Sequence, residues 1–235
     1  MAGTIRTIQQ NESLDSVWEE AVYTEARLLG DSRAENLAPA FAEIIARIEA
    51  TRAGQYASWR REIAAQARVD AVNADLDAAT TGFGHRLFTV LQGSRTDARW
   101  RSYFKGPVSR LVKLGLASQL EKSRTWPTAI RGEPDAELHP FAAQFERHIA
   151  DGDAAVEARG TAAAQRAQHR VREIVAVIDD LNGLRVSTLG RLLQRATKNK
   201  LSTDWAEGFF RRSQRQAEAA DDGPDDDEPA KPVTP

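Results

Sequence analysis

The 235-residue chain has no cysteine. A disulfide scaffold and a thiolate metal site are therefore excluded. No stretch approaches the ~18 to 20 uninterrupted apolar residues of a membrane span. The opening, MAGTIRTIQQNESLD, has no apolar core of a secretory signal. Glycine-rich phosphate loops of the Gly-x-Gly-x-x-Gly or Walker kind are missing, as is a Gly-x-Ser-x-Gly elbow. Runs of alternating β-branched residues are missing too, so no strand is expected. Proline is scarce where it matters: positions 40–106 and 141–223 contain none. Proline costs a helix interior about 3 kcal/mol, so these stretches are free to form long helices.

What fills them favours helix. Ala, Arg, Glu, Gln and Leu dominate. Leu37, Phe41, Ile44, Ile45 and Ile48 follow the spacing of one helical face. Val69, Val72, Leu76, Ala79, Phe83, Leu87 and Val90 continue at steps of three and four. Phe141, Phe145 and Ile149 begin a second face, which Val171, Ile174, Ile178, Leu181, Leu189 and Leu192 resume after an Ala-rich run. The spacing of Ser16 and Glu19 suits the start of a short helix over 17–29, stopped by Gly30. Gly54, Gly82, Gly84, Gly152 and Gly160 are the points where long helices can break, the pair flanking Phe83 above all.

The chain also repeats itself. At a shift of 102, residues 68–92 fall on 170–194 with 7 of 25 identical, and Val72/Ile174 and Leu76/Ile178 keep apolar character. At a shift of 101, Leu37-Ala-Pro39 falls on Leu138-His-Pro140. Thr96-Asp97, Trp100 and Phe104 find counterparts in Thr203-Asp204, Trp205 and Phe209. Thr96 or Asp97, and Thr203 or Asp204, are expected to cap the shorter helices that follow. The expected fold is all-α: an elongated antiparallel helical bundle with internal duplication, its apolar stripes packed face to face. The expected organisation is a flexible N-terminus (1–12), one helical repeat (13–132), a second (133–217) packed on it as one domain, and a disordered acidic tail (218–235).

Charge is segregated. The whole chain carries −2, yet residues 93–132 carry +7, residues 185–215 carry +6 and the last twenty carry −6. Aromatics are interleaved with both basic segments: Trp100, Tyr103, Phe104 and Trp126 in one, Trp205, Phe209 and Phe210 in the other. Cations among aromatics suit phosphate or nucleic-acid binding through charge and stacking. They equally suit a solvated face whose arginine stems cover apolar surface. The candidate anion-binding residues are Arg95, Arg99, Arg101, Lys105, Lys198, Lys200, Arg211 and Arg212. The acidic tail suits screening of those cations, or solubility.

Catalytic constellations are not legible. A carboxylate-bridged di-iron bundle needs Glu-x-x-His, and the residues three before His85, His139, His148 and His169 are Gly82, Ala136, Phe145 and Arg166. His169 and Glu173 share a helical face but lack a third ligand. Asp77 and Asp179 recur in the repeats and point to a structural role, such as an ion pair with arginine. The expectation is a non-enzymatic, cytoplasmic helical-bundle interaction or scaffold protein, without cofactor, metal or membrane, that binds a protein partner or itself. The alternative is a nucleic-acid or polyanion binder acting through segments 95–131 and 185–215.

Overall fold

The helical spacing is realised throughout. The computed structural model describes residues 5–211, and among them there is no strand. The helices are α1 (Leu14–Leu29), α2 (Ala38–Val90), α3 (Ala98–Tyr103), α4 (Val108–Leu111), α5 (Leu116–Ser123), α6 (Trp126–Arg131), α7 (Pro140–His169), α8 (Val175–Lys198) and α9 (Thr203–Glu207). Tight turns at Glu35–Leu37 and Ala136–Leu138 lead into α2 and α7, and a wide π turn, Arg170–Ile174, joins α7 to α8. Among the described residues no helix is long and apolar enough to cross a membrane.

The glycines do not break the long helices. α2 runs 53 residues through Gly54, Gly82 and Gly84. At Gly84 the reason is close approach: a Cβ there would lie 2.7 Å from Val108 Cγ2 on α4 and 3.4 Å from the Phe104 ring. At Gly152 on α7 it would meet Leu120 of α5 at 2.7 Å. Glycine keeps its N–H, so the backbone ladder continues while the missing side chain lets a neighbour in.

Caps fall slightly away from the expected positions. α1 starts three residues early, capped by Ser13, whose hydroxyl accepts from the Ser16 N–H at 3.2 Å. The earlier start brings Leu14 into the core. Asp97 caps α3 as expected, accepting from the Arg99 N–H. α9 is capped by Ser202 rather than by Thr203 or Asp204.

Contacts divide the chain into two compact units: Met1–Gly54 with His169–Pro235, and Gln55–Gln168. The division does not fall at 132/133. α2 carries two separate apolar stripes, and each joins a different core, so the cut crosses the helix. Val72 and Leu76 are buried in one core, Ile174 and Ile178 in the other.

In the first unit, α1 contributes Val17, Ala21 and Leu28, α2 contributes Phe41, Ile44 and Ile48, and α8 contributes Ile178, Leu181 and Leu192. Ile174 of the π turn, Phe209 and Phe210 complete this core. Residues 5–12 are not loose. Ile8 is 1% exposed, its N–H donates to Asn182 Oδ1 at 3.0 Å, and its carbonyl accepts from Asn182 Nδ2 at 2.9 Å. Residues 1–4 and the expected tail, 218–235, lie outside the described residues.

One charged side chain sits inside this core. Arg185 lies on the apolar face of α8, four residues from both Leu181 and Leu189, and its side chain is 1% exposed. Its ion-pair partner is Glu20 of α1, also buried, with Nη2 and Oε2 3.3 Å apart. None of the three guanidinium nitrogens makes a hydrogen bond within the described residues. The Phe210 ring lies 5.7 Å from the guanidinium carbon, and Arg6 reaches the other Glu20 oxygen at 3.0 Å. Burial, only partly offset by Glu20, lowers the Arg185 pKa from its ordinary value.

The second unit is built around Phe83 of α2, which is fully buried. Five rings surround it at centroid distances of 4.9 to 6.0 Å: Tyr103, Phe104, Trp126, Phe141 and Phe145. Leu116, Leu120, Ile130 and Leu138 close the core around them.

Candidate anion-binding pocket

The short helices of the second unit form a concave wall. Asp97 starts α3, which ends where Phe104 turns extended. Gly106 and Pro107 then redirect the chain, with Pro107 preceding α4 at φ −58°. Its fixed ring suits that entry to a helix. α5 follows, and Pro127 lies in the first turn of α6 directly after Trp126. Gln119 ties this wall down: its buried amide donates to Asp77 Oδ1 on α2 at 2.6 Å and to the Leu114 carbonyl at 3.0 Å.

Between these elements lies a pocket of about 500 Å³. Its aromatic lining is Tyr103, Phe104 and Trp126, all buried against Phe83. Leu111, Leu114, Gly106 and Pro107 add apolar wall. The only charged side chains lining it are Lys105, Arg110 and Lys122, all exposed and all cationic. No carboxylate and no imidazole lines it.

These three cations make no ion pair among the described residues. Their neighbours in the unit are neutralised: Arg86 by Glu137, Arg99 by Glu133 and Asp135, Arg124 by Asp153 and Arg131 by Glu146. The pairing with Asp135 and Glu133 holds the Arg99 pKa above its ordinary value. The Tyr103 hydroxyl donates to Glu133 Oε1 at 2.9 Å. Burial, reinforced by that carboxylate, pushes its phenol well above the ordinary value. Tyr103 therefore stays protonated at ordinary pH, with its hydroxyl committed to Glu133.

Of the eight residues singled out by sequence, only Lys105 lines this pocket. Arg99 and Arg211 are spent on carboxylates, the latter on Glu19 at 2.7 Å. Arg95 lies 5.0 Å from the Phe88 ring centroid and 6.0 Å from that of Trp100. Arg101 is exposed on α3. Lys198 and Lys200 stand exposed at the C-terminal end of α8, where the helix dipole favours cations. Lys200 is the left-handed residue of the helix stop, at φ 57°, and the Leu201 N–H returns to the Ala196 carbonyl at 2.8 Å. Arg212 lies outside the described residues. Arg110 and Lys122 belong to the basic segment but were not among the candidates. What distinguishes them is where the loop between α3 and α5 closes, which is a tertiary property.

Other polar groups have structural tasks. His139 contacts the Glu133 carbonyl at 2.8 Å, and His169 the Thr51 carbonyl at 3.2 Å, with its ring against Gly54. Asp77 is bonded to Asn73 and Gln119, and Asp179 to Gln10, so amides take the place of the expected arginines. Among the described residues no three His, Asp or Glu side chains group as metal ligands. Compared with known protein families, curated proteins and solved structures, the chain has no significant match.

Proposed function

We propose that this chain is a non-enzymatic helical binding module that takes an anionic partner on its second unit. The observation that carries the reading is the set of Lys105, Arg110 and Lys122, left without ion-pair partners around one pocket whose lining has no acid. Like charges are costly to hold together, and an anion relieves that cost. The pocket offers no carboxylate or imidazole base beside Ser102 or Thr125, which supports binding over nucleophilic chemistry. The cytoplasmic setting and a macromolecular polyanion as partner stay with this proposal as expectations.

Replacing the three cations with alanine is expected to weaken pyrophosphate binding at least about 10-fold, measured by calorimetry at low salt. A Lys198→Ala/Lys200→Ala variant should bind as the parent does. Equal loss in both variants, or no binding by the parent, would count against the proposal.

A second reading has its own support. Tyr56, Trp59 and Ile63 follow helical spacing on α2 and are 56%, 47% and 58% exposed. The Arg166 guanidinium lies 5.7 Å from the Trp59 ring. An exposed apolar stripe suits contact with another protein, including a second copy of this chain. For the self-association form, sedimentation velocity should show concentration-dependent assembly that Trp59→Ser reduces. A monomer at every concentration would sink that form.

A further inference from the structure

The pocket's shape narrows the chemistry of its occupant. An extended polyanion is tracked by a groove or stripe of cations along many phosphates. Here several cations of the basic segment are already neutralised by neighbouring carboxylates, and the three that remain free at the pocket converge on one cavity. Its volume, about 500 Å³, falls within the range of small-molecule sites.

The deep lining is aromatic and the rim is cationic. Trp126 meets Tyr103 at 89° and Phe104 at 73°, with centroids 5.7 and 5.2 Å apart. Rings set at right angles offer a flat guest an edge-to-face contact from one wall and an offset stack from another. Lys105 follows directly on Phe104, Arg110 sits on α4 and Lys122 on the last turn of α5, so the charges approach from three elements. Lysines supply mobile point charges and Arg110 a planar fork suited to two oxygens of one anion.

We propose that the ligand is a small organic anion: a flat unsaturated ring that enters the aromatic lining and carries a phosphate or carboxylate held by Lys105, Arg110 and Lys122. The inference rests on the anion-binding reading above and adds the ring.

The test is calorimetry on the full chain with five probes: inorganic phosphate, 1-naphthyl phosphate, 1-naphthoate, adenosine 5′-monophosphate and neutral 1-naphthol. Naphthyl phosphate is expected to bind at least about 10-fold tighter than either phosphate or naphthol, because charge and ring contacts both contribute. Whichever of the naphthoate and the nucleotide binds tighter assigns the natural class as aryl carboxylate or nucleotide. Leu114→Trp, which fills the apolar wall, should cut naphthyl phosphate affinity at least about 10-fold while leaving phosphate binding within about 2-fold. Circular dichroism of that variant verifies folding, and Lys122→Glu, an exposed change, gives an independent loss of both anions.

Phosphate binding without any gain from the ring overturns the organic-anion inference and leaves the anion reading standing. Naphthol binding as tightly as naphthyl phosphate overturns it as well. No binding by any charged probe overturns both.

Discussion

Glu20→Ala is expected to destabilise the first unit by about 3–5 kcal/mol, the usual cost of stranding a buried charge. Arg185 would then stand in the core with no counter-charge, its guanidinium already lacking hydrogen bonds. The converse change is expected to cost less. Arg185→Met removes the desolvated cation, and Glu20 keeps Arg6 at 3.0 Å. The double variant, Glu20→Leu with Arg185→Met, should recover much of the loss, because a well-packed apolar pair often matches or exceeds a buried ion pair. Chemical denaturation of the four proteins forms a double-mutant cycle and isolates the coupling. A loss below about 0.5 kcal/mol for Glu20→Ala would mean that Arg185 finds water or another anion in solution.

Phe83→Ala should cost about 3–5 kcal/mol and act on the second unit. Its ring touches five others, so truncation removes buried area and also the edge-on contacts to Tyr103 and Phe145, at 81° and 87°. Near-ultraviolet circular dichroism should lose aromatic signal, and hydrogen exchange should rise across Gln55–Gln168 first. Phe83→Leu should cost less than half as much, since it retains most of the volume. Equal exchange across the whole chain would argue against a loss localised to that unit.

Both residues also mark what was legible in the sequence. The helical faces were readable because apolar side chains recur at three and four. Phe41, Ile44, Ile48, Val72, Leu76, Phe83, Leu87, Ile178 and Leu192 are all buried. The division into units was not readable, because spacing places residues on a face without saying which core that face joins. Arg185 was counted among the surface charges, although it stands between Leu181 and Leu189 on an apolar stripe. At a shift of 102 it matches Phe83, so the repeat comparison held a signal that charge counting hid. Val171 was placed on the buried stripe and is 69% exposed, because the π turn begins beside it and alters the local phase. The pocket was half legible. Aromatics and cations along 95–126 were visible, but which cations stay free depends on carboxylates such as Glu133 and Asp153, distant along the chain.

The wide turn at Arg170–Ile174 has a bearing on those two separations. Leu37 and Pro39 precede their matches by 101 residues, whereas Arg68 and Val69 precede theirs by 102. One surplus residue has therefore entered the later helix somewhere between Pro140 and the second match, which opens at Arg170. An ordinary α-helix has no room for such an addition, since every position beyond it would swing by about 100°. A single loop of looser winding takes up the slack, and Ile174, Ile178 and Leu181 still turn inward. The bulge works as an expansion joint for a length mismatch of one residue.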